Sequence, residues 1–198
     1  MFTRILGEVL VVASLLAGLM WLAGGDDYAR PRPFAGDHLG QHAQQPDAEY
    51  QSLADDSLAT ALADAPGHNA FAMISFAEPL TSAEAGALVA DLHRVGTVIT
   101  QDLHILALPE PTEASTRVAA GSRAEVFANV LANTVRAASD ATTPGIIAVV
   151  AYDTPRHLAP LANSPHVYAV EVLPPDAVFG QFGISPPQVT FHPPASVG

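Results

Sequence analysis

Between Ile5 and Gly24 the chain runs through twenty residues that carry one charge, Glu8. An apolar stretch of this length satisfies its backbone as a helix in lipid and has no natural place in a modest water-soluble core. At about 1.5 Å per residue it covers the roughly 30 Å hydrocarbon layer with no surplus. Ile5, Leu10, Leu15 and Leu19 fall within the span, and Trp21 lies where an amphipathic indole suits the far interface. The segment reads as a single-pass anchor. Its alternative is a cleaved export signal, with Arg4 in front and Ala23-Gly24-Gly25 behind. The anchor reading makes membrane lipid the first partner and puts the rest of the chain outside the cytoplasm at the cell membrane. The cleaved reading makes it secreted.

What remains is enough for one globular domain with linkers. Its formal charge of −12 comes with eight arginines and no lysine, so no basic stripe is present to neutralise phosphates and nucleic acid is not an expected partner. The absence of cysteine removes disulfides, thiol catalysis and Cys-based zinc sites.

Composition divides the chain into four parts: 1–25 (anchor or signal), 26–66 (acidic linker), 67–173 (domain) and 174–198 (Pro-rich tail). The linker carries eight acidic residues and two arginines. Pro31, Pro33, Gly36, Gly40 and Pro46 make its first half an extended stalk. If about twenty residues are extended at about 3.1 Å each, the domain stands roughly 60 Å from the bilayer. In its second half Asp47 is placed to cap a short amphipathic helix bearing Tyr50, Leu53, Ala54, Leu58, Ala61 and Leu62, packed loosely on the domain or a neighbour.

Within the domain, 71–76 has a buried-strand composition, and Thr81 with Glu84 forms a capping box. The apolar stripe Ala85, Leu88, Val89 and Leu92 predicts a helix that Gly96 stops. The stretch 97–108 is long for one strand and predicts a turn near Gln101-Asp102. Ser122 with Glu125 opens a central helix, 145–152 reads as a fully buried strand, Asp153-Thr154-Pro155 starts a short helix, and 167–173 returns as a strand. Strand, helix and strand thus occur twice around an extra central helix. This predicts an α+β fold, a ferredoxin-like sandwich behind the N-terminal transmembrane helix. In the tail Phe179, Phe182 and Phe191 are too frequent for a solvated terminus and become candidate contacts for a partner or for the domain itself.

The segments ISFAEPLTSAEAGALV (74–89) and IAVVAYDTPRHLAPLANSPHVYAVEVLPP (147–175) resemble single-pass envelope proteins of high-GC, actinobacterial-type bacteria. That resemblance brings no activity with it. The second segment is also similar to the closing strand-helix-strand of inhibitor I9, or subtilisin-propeptide-like, domains, which share the ferredoxin-like sandwich. This likeness implies a tail from Pro174 onward entering a protease cleft.

Signals for chemistry are weak. Asp37, His38 and His42 have ligand-like spacing but lie between glycines in the linker, which predicts solvated histidines. His93 reads as the end of a helix, His104 as the outer face of a strand, and His157 and His166 as flanking the third helix. Asp153 reads as an N-cap, and Glu84 and Glu125 as capping-box acids. No Gly-x-Ser-x-Gly elbow, His-Glu-x-x-His helix or phosphate loop occurs. The sequence therefore names no catalytic, cofactor or metal residue. The expectation is a non-catalytic envelope protein that contacts another envelope protein, or a second copy of itself, through a sheet face or edge and the Phe-containing tail. The alternatives are a propeptide-like inhibitor or chaperone of an extracytoplasmic protease, and a metal-dependent enzyme.

Overall fold

The computed structural model describes residues 36–109, 122–138 and 143–188. Ile5, Leu10, Leu15, Leu19 and Trp21 of the expected anchor, and Phe191 of the tail, lie outside the described residues. Among the described residues no helix is long and apolar enough to cross a membrane.

Along the chain come β1 (His38–Leu39), α1 (Asp47–Asp64), β2 (Ala70–Leu80), α2 (Ser82–Leu88), β3 (Arg94–Thr100) and β4 (Ile105–Ala107). They are followed by α3 (Arg123–Ala138), β5 (Ile146–Asp153), α4 (Pro155–Leu158), a 3-10 turn (Ala159–Asn163), β6 (Val167–Val172) and β7 (Gly183–Ile184). The fold is α+β. Five strands make one antiparallel sheet in the order β4-β3-β5-β2-β6, and β1 pairs in parallel with β7.

The continuous apolar run of β5 explains its central place. Ile146 through Ala151 are all buried, so both faces of the strand must be covered. On one face Ala72, Ile74 and Phe76 of β2 and Val149 of β5 meet Val89, Val126, Phe127, Leu131 and Leu158 from the helical side. Each large apolar side chain removed from water there contributes about 1.5–3 kcal/mol.

The capping box at α2 is complete: Glu84 N–H donates to Thr81 Oγ1 at 3.3 Å, and Thr81 N–H donates to Glu84 Oε2 at 2.9 Å. The helix nevertheless ends at Leu88, well before Gly96. Arg94–Thr100 pairs with buried β5, and Gly96 sits at a bulge between Val95 and Thr97. Pairing with a strand already in the core outweighs the helical spacing of the sequence. Gly86 allows α2 to meet α3, because a Cβ there would lie 2.5 Å from the Ala124 backbone.

The opposite face is covered by chain from both sides of the domain. Leu39 of β1 and Leu173 and Phe182 from beyond β6 close over Met73, Ile99, Ile147 and Val150. The stretch expected to be an extended stalk is therefore packed from residue 36 onward. Gly40 lies at φ +97°, and a Cβ on it would fall 1.9 Å from the Ser185 carbonyl oxygen. Only glycine fits so close to a neighbouring backbone.

Helix α1 is likewise part of the body, not a loosely held appendage. Tyr50, Ala54 and Leu58 are buried, and the helix runs along the outer edge of β6. Ser57 Oγ accepts Val172 N–H at 2.9 Å, and Gln51 Nε2 donates to the Tyr168 carbonyl at 3.3 Å. A sheet edge with unpaired backbone groups invites association, and α1 shields this one. The N-cap position is Pro46, with no side-chain cap, so Asp47 acts within the first turn.

Candidate interaction surface

At the other edge no strand among the described residues pairs beyond β4. The β3-β4 hairpin turns through Gln101–His104, where Thr100 Oγ1 donates to the Asp102 carboxylate and His104 Nδ1 lies 2.8 Å from Asp102 Oδ2. Burial opposes ionisation of Asp102, but the hydrogen bonds from Thr100 and His104 outweigh it and hold the carboxyl below the usual range. His104 therefore belongs to the turn and not to a strand face. Leu103 occupies the left-handed region at φ +65° and is 59% exposed.

The register of β4 against β3 pairs Ala107 with Thr97 and Ile105 with Ile99. Ile99 lies in the second core, so Ile105 is on that same face, but it remains 45% exposed. Phe179 closes the other end of this strip. Its ring stands 3.9 Å from where a Cβ of Gly96 would be, beside Thr97, and it is 55% exposed. Beneath it, Phe71 packs on Tyr152 and Phe182 with ring centroids 4.6 and 5.1 Å away, and Phe179 itself is 5.8 Å from Phe71. Offset and tilted aromatic pairs of this kind hold a ring in place beyond its area burial.

The tail phenylalanines thus have different fates. Phe182 is buried within the molecule and Phe179 faces solvent, next to Val178. Sequence reasoning named Phe179 but missed Leu103, Ile105 and Ala107. The turn near Gln101-Asp102 was legible and implied a second strand after it, but only the strand order places 105–107 outermost among the described residues.

The polar residues singled out from sequence fall into separate small groups, one of which gathers Asp153, His157 and the His93 backbone. Thr154, not Asp153, caps α4: its Oγ1 accepts His157 N–H at 3.3 Å. Asp153 is buried at the end of β5, where it accepts N–H bonds from His93 at 2.6 Å and Thr154 at 2.7 Å and contacts His157 Nδ1 at 2.8 Å. His93 enters through its backbone in the turn before β3. His166 pairs with Glu78 at 3.6 Å, whereas His157 contacts Asp153.

His38 is not a solvated linker residue. It lies in β1, stacks on His42 at 4.5 Å and contacts Ser185 Oγ through Nε2 at 2.9 Å. Burial and the neighbouring His42 lower its pKa. Among the described residues no carboxylate reaches its Nδ1 to orient the ring as a nucleophilic triad requires. Among the described residues no three His, Asp or Glu side chains are grouped to hold a metal ion.

The most enclosed polar cluster lies beneath α1. Gly40 N–H donates to Glu171 Oε2 at 2.6 Å, and the Tyr50 hydroxyl lies 3.3 Å from Ser75 Oγ. Burial pushes the Glu171 carboxyl up to about 7 against the pull of bonds from Gly40 and Tyr50, and burial beside Glu171 raises the Tyr50 phenol. The cluster fastens the segment before α1 to β6.

The chain matches no family model, and comparison with curated proteins and with solved structures finds no match.

Proposed function

We propose that this chain is a non-catalytic protein-interaction domain of the cell envelope, anchored by its N-terminal helix and working outside the cytoplasm. The observation that carries the reading is the apolar strip made by Ile105 and Ala107 on the strand outermost among the described residues, with Leu103 in the turn before it and Phe179 at its other end. An exposed edge strand gives main-chain hydrogen bonds to an added strand, and the apolar groups beside it supply pockets for alternate side chains. The sheet face expected as a further contact is covered in its middle by 38–39 and 173–184. That confines the surface to the edge and the Phe179 end.

The sandwich reading has support in the strand order. Without β4 and α3, the remaining order β3-β5-β2-β6 is that of two strand-helix-strand units interleaved through β2 and β5, the ferredoxin-like arrangement. The propeptide-like alternative needs a free tail after the last strand. Residues 174–188 fold back instead, with Gly183 N–H donating to Asp37 O at 2.9 Å and Ser185 N–H to Leu39 O at 2.8 Å, which favours the first reading.

The test is photo-crosslinking of the full-length chain in intact cells, with a photoreactive phenylalanine at Ile105, at Phe179 or, as a control, at exposed Ala128 on α3. Discrete adducts from the first two positions, lost on Ile105→Asp in the Phe179 variant, are expected. An adduct of twice the chain's mass makes the partner a second copy. Equal labelling from all three positions, or none from the strip, overturns the proposal. A single cysteine at Ala29, probed with an impermeant thiol reagent, checks the orientation.

A further inference from the structure

Independently of the β4 edge, a groove lies between the C-terminal half of α1, the start of β2 and the segment that follows β6. It encloses about 410 Å³, within the range of small-molecule sites. Its wall is apolar: Ala61 and Ala70, Val172 and Leu173, and the rings of Pro155 and Pro174. The one hydroxyl set deep in this wall, on Ser57, is already engaged, donating to Ala54 O at 2.7 Å and accepting Val172 N–H at 2.9 Å. The interior is therefore predominantly apolar and offers a ligand no free side-chain hydroxyl at Ser57.

The rim differs from the wall. Asp56, Thr60 and Asp64 recur every fourth residue on α1, which places them in one row along the mouth. Neither carboxylate has a hydrogen bond or ion pair among the described residues, and the lining holds no lysine or arginine, with His68 its only other titratable side chain. An apolar body inside and two unneutralised carboxylates at the entrance select by shape and by sign. The formal charge of −12 on the whole chain adds to the same field.

We propose that this groove binds a compact apolar molecule that bears a cationic nitrogen, an amine or ammonium whose hydrocarbon part fills the wall while its charge lies between Asp56 and Asp64. The apolar part supplies affinity through burial. The charge supplies discrimination, and two solvated carboxylates near a cation give a preference of about tenfold or more over an anionic head.

Three probes with one hydrocarbon cage test this: adamantylamine, adamantanol and adamantane carboxylate. Their binding to the full-length chain in nanodiscs is followed by equilibrium dialysis, with empty nanodiscs as the blank for lipid partitioning. The amine is expected to bind saturably, the alcohol more weakly, and the carboxylate at least about tenfold more weakly than the amine. Asp56→Asn together with Asp64→Asn brings the amine down to the alcohol's affinity and leaves the alcohol unchanged. Ala61→Leu fills the groove, and Thr60→Phe blocks it from an exposed position on α1, so both reduce amine and alcohol together. The proposal is overturned if the three probes bind alike, if none binds above the blank, or if the paired Asn variant keeps the amine preference.

Discussion

The backbone N–H of Gly40 donates to the buried carboxylate of Glu171 across 2.6 Å, joining the strap that precedes α1 to the edge strand of the sheet. The two residues are 131 positions apart in sequence. This bond, with Tyr50 packed beside it, is why the strap lies on the sheet and does not extend from it. A charge held out of water at such a junction also makes the fold sensitive to pH.

Glu171 binds its proton more tightly in the folded chain, where its pKa is about 7, than at its ordinary value of 4.5. A carboxyl raised on folding contributes most below the unfolded value. That contribution declines as pH rises toward 7 and stays lost above it. Melting temperature is therefore expected to fall between about pH 5 and pH 7. Glu171→Gln keeps an acceptor for Gly40 and flattens this dependence, gaining on the order of 3 kcal/mol over the native chain at alkaline pH. A native chain equally stable across that window contradicts the assignment.

Ser57 Oγ accepts the Val172 N–H at the β6 edge. Ser57→Ala leaves that donor without a partner beneath α1 and is expected to cost about 1–3 kcal/mol in urea unfolding. Ser57→Thr, which keeps the hydroxyl, should recover much of the loss.

Phe179 and Phe182 separate surface from core. Phe182→Ala opens a cavity in the second face and should destabilise by about 3–5 kcal/mol. Phe179→Ala should change stability by no more than about 1 kcal/mol while abolishing crosslinks from the edge strip. Thermal melts of the two variants, read beside the crosslinking yields, check both halves.

Gly86→Ala places a methyl against the Ala124 backbone, where a flexible side chain is not available to move aside. The two helices must part, at about 1–3 kcal/mol. A lowered urea midpoint with an unchanged slope is the expected result.

Much of the local structure was legible in the residues. The Thr81–Glu84 box, the Thr154-Pro155 helix start, the all-apolar β5 and the turn near Gln101-Asp102 each follow from chemistry within a few positions, and local rules capture such chemistry. Where the reading failed, the deciding partner was distant. Gly96 looked like a helix stop, but β5 drew Arg94–Thr100 into the sheet. His38 looked solvated, but β7, nearly 150 residues on, pairs with it. Of the candidate surface, Phe179 was visible as an unexplained aromatic, while Ile105 became an edge residue only once strand order was known.

The sequence alone determined the long helix α1, the capped start of α2 and the buried strands β2, β5 and β6, because periodicity and capping act along the chain. Only the tertiary structure decided which strand stands outermost among the described residues, which phenylalanine is buried and that the connector from residue 36 onward packs on the sheet. Those outcomes depend on contacts between residues far apart in the chain, and no local pattern encodes which of several apolar segments will cover which face.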